Sequence, residues 1–172
     1  MIIGIDVGAS GALCFMSNEG DVLSYVAFDK LKDWKTEVPQ IVETELAVYG
    51  ESDLIKVGIE DVHSLFVSGK KENFNFGINK GVLIGIFNAL SLYHKIEVEL
   101  VHAKVWQNSV WGNEDKAFTQ KGMTTKTDTK KTSLNCAQRL FPNENFLATA
   151  RTRVPHDGIV DAVLIAKHIA DV

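Results

Sequence analysis

The sequence predicts an α/β protein. One domain, residues 1–172, is expected to hold a mixed five-stranded sheet: a three-stranded antiparallel meander plus two parallel strands, flanked by helices. Three observations predict this. Short apolar runs rich in β-branched residues fill the first thirty positions with only turns between them. Two later runs of the same kind are separated by helical patterns too long for a hairpin. The chain has 172 residues, 45% of them hydrophobic, which is enough for one proper core.

Taken in order, MIIGIDV (1–7), SGALCFMS (10–17) and DVLSYVAF (21–28) form the meander. SNEGD joins the last two as a hairpin turn, with Gly20 where a positive φ is needed. The stretch 36–50 spaces Val38, Ile41, Val42, Leu46 and Tyr49 at helical intervals and stops at Gly50. LIKVGIE (54–60) is the fourth strand. Residues 63–73 lack a clean period and carry Gly and charge, which predicts a loop. A long helix is expected over 77–93, a fifth strand over 95–102 and a short helix over 103–112. The polar, Thr- and Lys-rich stretch 113–130 has Phe118 and Met123 as its large apolar residues and is expected to be mobile. Helices over 129–142, stopped before Pro142, and over 157–169 complete the chain.

Cys14 and Cys136 are too few for a disulfide framework and lack metal-finger spacing, so a reducing compartment is expected. Asp6 interrupts the N-terminal apolar run with no basic segment before it, which argues against a secretory signal. GVLIGIFNAL is too short to cross a bilayer. The net charge of −4 hides an asymmetry: residues 1–61 carry −8 and residues 62–155 carry +6. Such a chain can present a basic surface beside an acidic one.

The acids repay closer attention. Along a strand, side chains alternate between faces, so Ile3, Ile5 and Val7 share one side while Gly4 and Asp6 share the other. The fourth strand repeats the device: Ile55, Val57 and Ile59 oppose Gly58 and Glu60. Parallel neighbours about 4.8 Å apart would set the two carboxylates side by side. Two such groups repel unless one keeps a proton or a cation intervenes, and hard oxygen ligands suit Mg²⁺ or Mn²⁺. In VPHDGIVDAVLIAKH (154–168), Asp157 and Asp161 lie four residues apart on one helical face. Asp161 is flanked by core positions, a costly place for an acid without a partner. Asp157 also suits an N-cap.

With these residues identified, the chain resembles the RuvC family of Holliday-junction resolvases, particularly its phage-type members, within the RNase H-like superfamily. GIDVGASGAL, VGIED and HDGIVDAVLIA carry the likeness. The resemblance implies a metal-binding acidic tetrad of catalytic residues: Asp6, Glu60, Asp157 and Asp161. Many members place the third ligand three residues before the last; here that position is Gly158. Asp157 shares Asp161's face, and His156 is an accessory ligand or proton carrier. The resemblance also implies Mg²⁺-dependent two-metal hydrolysis of phosphodiester bonds, with Mn²⁺ able to substitute. A homodimer would make paired nicks in a four-way junction in the cytoplasm, that of a bacterial host if the protein is phage-encoded. Independently, Gly77, Gly81, Gly85 and Ala89 form an i,i+4 stripe on an otherwise apolar helix, which needs cover from core or from a second copy.

DNA-binding residues follow from charge and resemblance together: Lys104, Lys130 and Lys131 on the basic stretch, and Phe66, Lys70 and Lys71 after Glu60. Phe66 is expected to stack on a base opened at the branch point; Phe74 and Phe76 are read as the apolar entry to the next helix. GIDVGASGAL also resembles the phosphate loop of actin-like kinases, but 172 residues leave no room for the second domain those need. A branched-DNA-binding module with little cleavage and a RuvC-like RNA-processing nuclease are the alternatives.

Overall fold

Alternation along the strands decides which helices each face of the sheet meets. The computed structural model describes residues 1–49, 54–61, 70–121 and 124–172, the side chains at 70, 72 and 121 excepted. Five strands make the sheet: β1 (Ile2–Asp6), β2 (Ala12–Met16), β3 (Val22–Ala27), β4 (Ile55–Asp61) and β5 (Ile96–His102), in the order β3-β2-β1-β4-β5. The β1–β2 and β2–β3 pairs are antiparallel, β1–β4 and β4–β5 parallel. Gly20 has φ of 93° in the β2–β3 turn.

Crossovers supply the helices. α1 (Trp34–Tyr49) lies between β3 and β4, and α2 (Lys70–Leu90) between β4 and β5. α1 starts at a reciprocal cap: the Asp33 carboxylate accepts the Lys35 N–H at 3.3 Å and Glu37 accepts the Asp33 N–H at 2.6 Å. Ile3, Ile5, Phe15, Val57 and Ile59 pack with Val38, Val42 and Leu46 of α1 and Leu83 and Phe87 of α2.

The other face belongs to α3 (Ala103–Val110), α4 (Thr129–Leu140) and α5 (Asp157–Ala170). There Ile2, Cys14 and Met16 meet Trp106, Cys136, Ala137 and the apolar side of α5. The glycines that precede the two strand acids find their purpose here. In the parallel register Gly4 stands beside Gly58, and α5 lies directly on the pair. A Cβ at Gly4 would sit 2.1 Å from the Ala162 carbonyl oxygen, and one at Gly58 2.5 Å from Ile169.

Three expectations need correction. Residues 70–73 are helical: α2 begins at Lys70 and not near 77, because KKENFNF holds good helix formers and no breaker before Gly77. The stretch expected to be mobile contains a hairpin, β6 (Phe118–Lys121) with β7 (Thr124–Thr127). The cap of α5 is His156 and not Asp157: its Nδ1 accepts the Ile159 N–H at 3.3 Å. Among the described residues no helix is long and apolar enough to cross a membrane.

Candidate active site

The register that aligns Gly4 with Gly58 also aligns Ile5 with Ile59, and one further step carries Asp6 to the side of Glu60. Both leave the sheet at its C-terminal edge on the α5 side. α5 starts at that edge and brings Asp161, one turn in, toward them. The result is a cleft of about 520 Å³ lined by Asp6, Gly8, Ala9, Ser10, Glu60, Asp61, Phe76, His102, Ala103, Lys130, Asp157, Gly158 and Asp161. A second hollow of about 530 Å³ lies between β5 and the end of α5, where Lys56, Glu97, Glu99 and His168 line it. Only the first gathers acids that disturb one another.

That disturbance is visible in their protonation. Burial and then the neighbouring Glu60 and Asp161 push the Asp6 carboxyl well above the usual range. Asp161 is pushed up to about 7, by burial first and then by Glu60 and Asp157. Burial alone raises Glu60. Each of the three is steadied by one uncharged donor. The Gly8 N–H donates to Asp6 at 3.1 Å, the Trp106 indole N–H to Glu60 at 3.2 Å, and the Ser133 hydroxyl to Asp161. Asp157 differs. It is exposed at the rim, where Lys130 Nζ lies 2.5 Å from its Oδ2.

Gly158 explains this departure from the resembled pattern. A Cβ there would lie 2.1 Å from the Ser10 carbonyl oxygen and 3.0 Å from Asp6 Oδ2. The turn after β1 therefore fills the place where a ligand side chain would start, and the acid stands one residue earlier.

His156 is engaged at both nitrogens, Nδ1 as the cap of α5 and Nε2 at 3.4 Å from Asp29. Lys104 is exposed in the first turn of α3, beside the cleft-lining Ala103, and Lys131 is exposed on α4. Lys71 is exposed on the first turn of α2, whereas Phe66 and the Lys70 side chain lie outside the described residues. Phe76 lines the cleft, and Phe74 is 69% exposed on α2.

Sequence reasoning missed five participants. Asp61 pairs with Lys80 at 2.7 Å, His102 caps α3, Phe76 walls the cleft, and Trp106 and Ser133 hold carboxylates. Asp61 had a signal in the doubled acid of VGIED. The others reach the site through tertiary packing.

The donor chemistry suits a hard divalent cation: oxygen ligands, gathered in one cleft against their own repulsion, with an ammonium at the rim. Their geometry is looser, since among the described residues no three His, Cys, Asp or Glu side chains close on one point.

A meander of three strands extended by two parallel strands, with acids at the tips of β1 and β4 and on the helix that covers them, defines the RNase H-like class. No protein-family model matches the chain, and no curated protein matches it. Solved structures do. RuvC of T. thermophilus, in complex with a Holliday junction substrate, superposes with a TM-score of 0.51 at 14% identity, over 97% of this chain and 90% of that one. The yeast mitochondrial Holliday junction resolvase Ydc2 gives 0.55 at 13% identity, over 98% and 77%. The fold is thus RNase H-like in its RuvC form.

Proposed function

We propose that the protein is a structure-selective endonuclease that hydrolyses phosphodiester bonds in branched DNA, four-way junctions foremost, with Mg²⁺ or Mn²⁺. The single observation behind this reading is the gathering of Asp6, Glu60 and Asp161 in one cleft at a cost in stability. Three partly desolvated acids in one cleft, two of them with proton affinity raised further by carboxylate neighbours, point to use and not to folding. Of the solved proteins of the same fold, one is a Holliday junction resolvase and another is a RuvC bound to a Holliday junction substrate, which supports branched DNA as the substrate class.

Asp6, Glu60 and Asp161 would hold the ions, with Asp157 reaching in from the rim. When bound, two divalent ions supply Lewis-acid activation of the attacking water and stabilise the leaving oxygen. The chain does the rest. Gly8, Trp106 and Ser133 each donate one hydrogen bond to a carboxylate, which would leave the remaining acceptor capacity for an ion. Lys130, which pairs with Asp157 and lines the cleft, would meet a phosphate at its mouth. The acids on the rim and floor repel DNA in the absence of cations, so binding of ion and substrate reinforce one another.

Paired nicking calls for two copies, and α2 is the surface we assign to them. Gly77, Gly81, Gly85 and Ala89 are exposed, and nothing lies within 4 Å of where a Cβ at any of the three glycines would stand. Phe74 and Ile78 flank them, 69% and 39% exposed. A smooth stripe with apolar edges fits the same stripe on a second copy.

The test is cleavage of labelled four-way, Y-shaped and linear DNA, with Mg²⁺ or EDTA. Wild type should nick the four-way substrate with Mg²⁺ alone, and Asp6→Asn should bind it without cutting. Unchanged cutting by Asp6→Asn would remove this cleft from the chemistry. The loose spacing of the acids and the Lys130–Asp157 pair favour a second reading, a branched-DNA-binding module with little cleavage; tight binding with no nicking in Mg²⁺ or Mn²⁺ would select it.

A further inference from the structure

The β6–β7 hairpin takes no part in either core. Phe118, Thr119, Gln120 and the whole of Thr124–Thr127 are exposed. Two four-residue strands that bury so little are marginal on their own. Their root is nevertheless firmly tied. The Asp128 N–H donates to the Ala117 carbonyl at 2.9 Å, the Ala117 N–H to Thr132 Oγ1 at 3.0 Å, and the Lys131 N–H to Asp128 Oδ1 at 3.1 Å. Just before the root, buried Asp115 takes two bonds from Arg139 of α4, at 2.9 and 2.7 Å. The fold thus holds a ribbon rigidly at its base and leaves the blade in solvent.

Composition says what the blade meets. Residues 116–127, KAFTQKGMTTKT, contain three lysines and no acid, in a protein whose net charge is −4. The register pairs Phe118 with Thr127 and Thr119 with Lys126. One face therefore carries Phe118, Gln120, Thr125 and Thr127, and the other Thr119, Thr124 and Lys126. Threonine hydroxyls, an amide and ammonium groups are donors suited to phosphate oxygens, and threonine's branched Cβ keeps the strands extended without a core. A two-stranded ribbon also has the width of the major groove. The blade leads directly into α4, whose second residue, Lys130, lines the cleft and whose Ser133 touches Asp161.

We infer that the β6–β7 ribbon is a nucleic-acid-binding arm that grips the phosphate backbone of a duplex beside the cleft. That the duplex is DNA leading to a branch rests on the function proposed above. The arm would measure whether a duplex extends far enough from the cut site, a different task from reading the branch point.

Two variants test it in EDTA, with no cleavage involved. Thr125→Glu with Lys126→Glu keeps the chain length; replacing 118–127 by two glycines removes the blade across the gap that Ala117 and Asp128 already close. Lys95→Glu, at the opposite end of β5, is the charge control. Wild type is expected to protect backbone several base pairs out along a duplex arm in hydroxyl-radical footprinting. Both variants should lose that distal protection and keep protection at the branch. They should bind four-way DNA about three- to tenfold more weakly at ~0.1 M salt, with a salt slope shallower by about 1–2. Wild-type footprint and slope in the glutamate variant, or losses matched by Lys95→Glu, would overturn the arm and leave the nuclease reading standing. Failure of wild type itself to bind any nucleic acid would overturn both.

Discussion

α2 and α5 look alike as sequence and are used in opposite ways. Each is apolar around most of its circumference, and each carries glycine. α5 buries ten of its fourteen residues: β1 and β4 supply bare glycines beneath it, and the β1–β2 turn presses on Gly158. α2 buries Leu83, Phe87 and Leu90 among its described side chains, and its glycines face open space. A glycine under such close approach fixes internal geometry, whereas a glycine facing open space leaves a smooth exposed surface. Hydrophobic composition alone does not separate these cases; the neighbours do.

The sharpest way to break this contrast is a matched pair of substitutions. Gly4→Ala forces a Cβ into the α5 backbone and should destabilise by about 3 kcal/mol or more, since backbone cannot step aside as a side chain can. Gly81→Ala should instead stabilise the helix by up to about 1 kcal/mol. On the proposed pairing, wild type should sediment as a dimer and Gly81→Glu should fold normally yet sediment as a monomer. Equal losses from Gly4→Ala and Gly81→Ala in denaturant titration would erase the distinction.

Next in size is the electrostatic cost that α5 carries through Asp161. An acid whose folded-state pKa is raised keeps its proton longer in the native state than in the unfolded chain. The stability this confers is present at low pH and is lost as pH rises from about 4 through about 7. In metal-free buffer Asp161→Asn should therefore be more stable than wild type at pH 8 by roughly 2 kcal/mol, about 4–8 °C in Tm. The gain should vanish near pH 4; a gain independent of pH would show that it comes from packing.

A smaller effect is expected at Trp106. Trp106→Phe keeps an aromatic ring in the core but removes the donor to Glu60. Nicking should slow about tenfold and need more Mg²⁺, while junction binding in EDTA stays as it was. A uniform loss of binding and stability would reduce Trp106 to a packing residue. The smallest effect belongs to the lysines. Lys131→Ala should flatten the salt dependence of binding by about one unit, and joint replacement of Lys130 and Lys131 by about two. An unaltered slope would assign them to a bystander face.

The sheet and its acids were legible because period-two alternation is local. Ile–Gly–Ile–Asp and Val–Gly–Ile–Glu state which side each residue takes, and a parallel pairing then aligns them. The start of α2 was not legible, because its lysines and Glu72 resemble loop composition and the glycines beyond resemble breakers. The hairpin was hidden for another reason: what holds its root is the reach of Thr132 to Ala117, fifteen residues back. Trp106 and Ser133 gave no sign at all, since their bonds to Glu60 and Asp161 span 46 and 28 positions of chain and exist only in the folded protein.

Gly4 has one further consequence. The contact that seats α5 on the sheet is also the contact that sets Asp161 over the strand tips, so the fastening of the helix and the placement of the acid share the same few atoms. Heat cannot loosen one and spare the other. Thermal inactivation should track global unfolding degree for degree, with no interval in which an intact protein has merely gone silent.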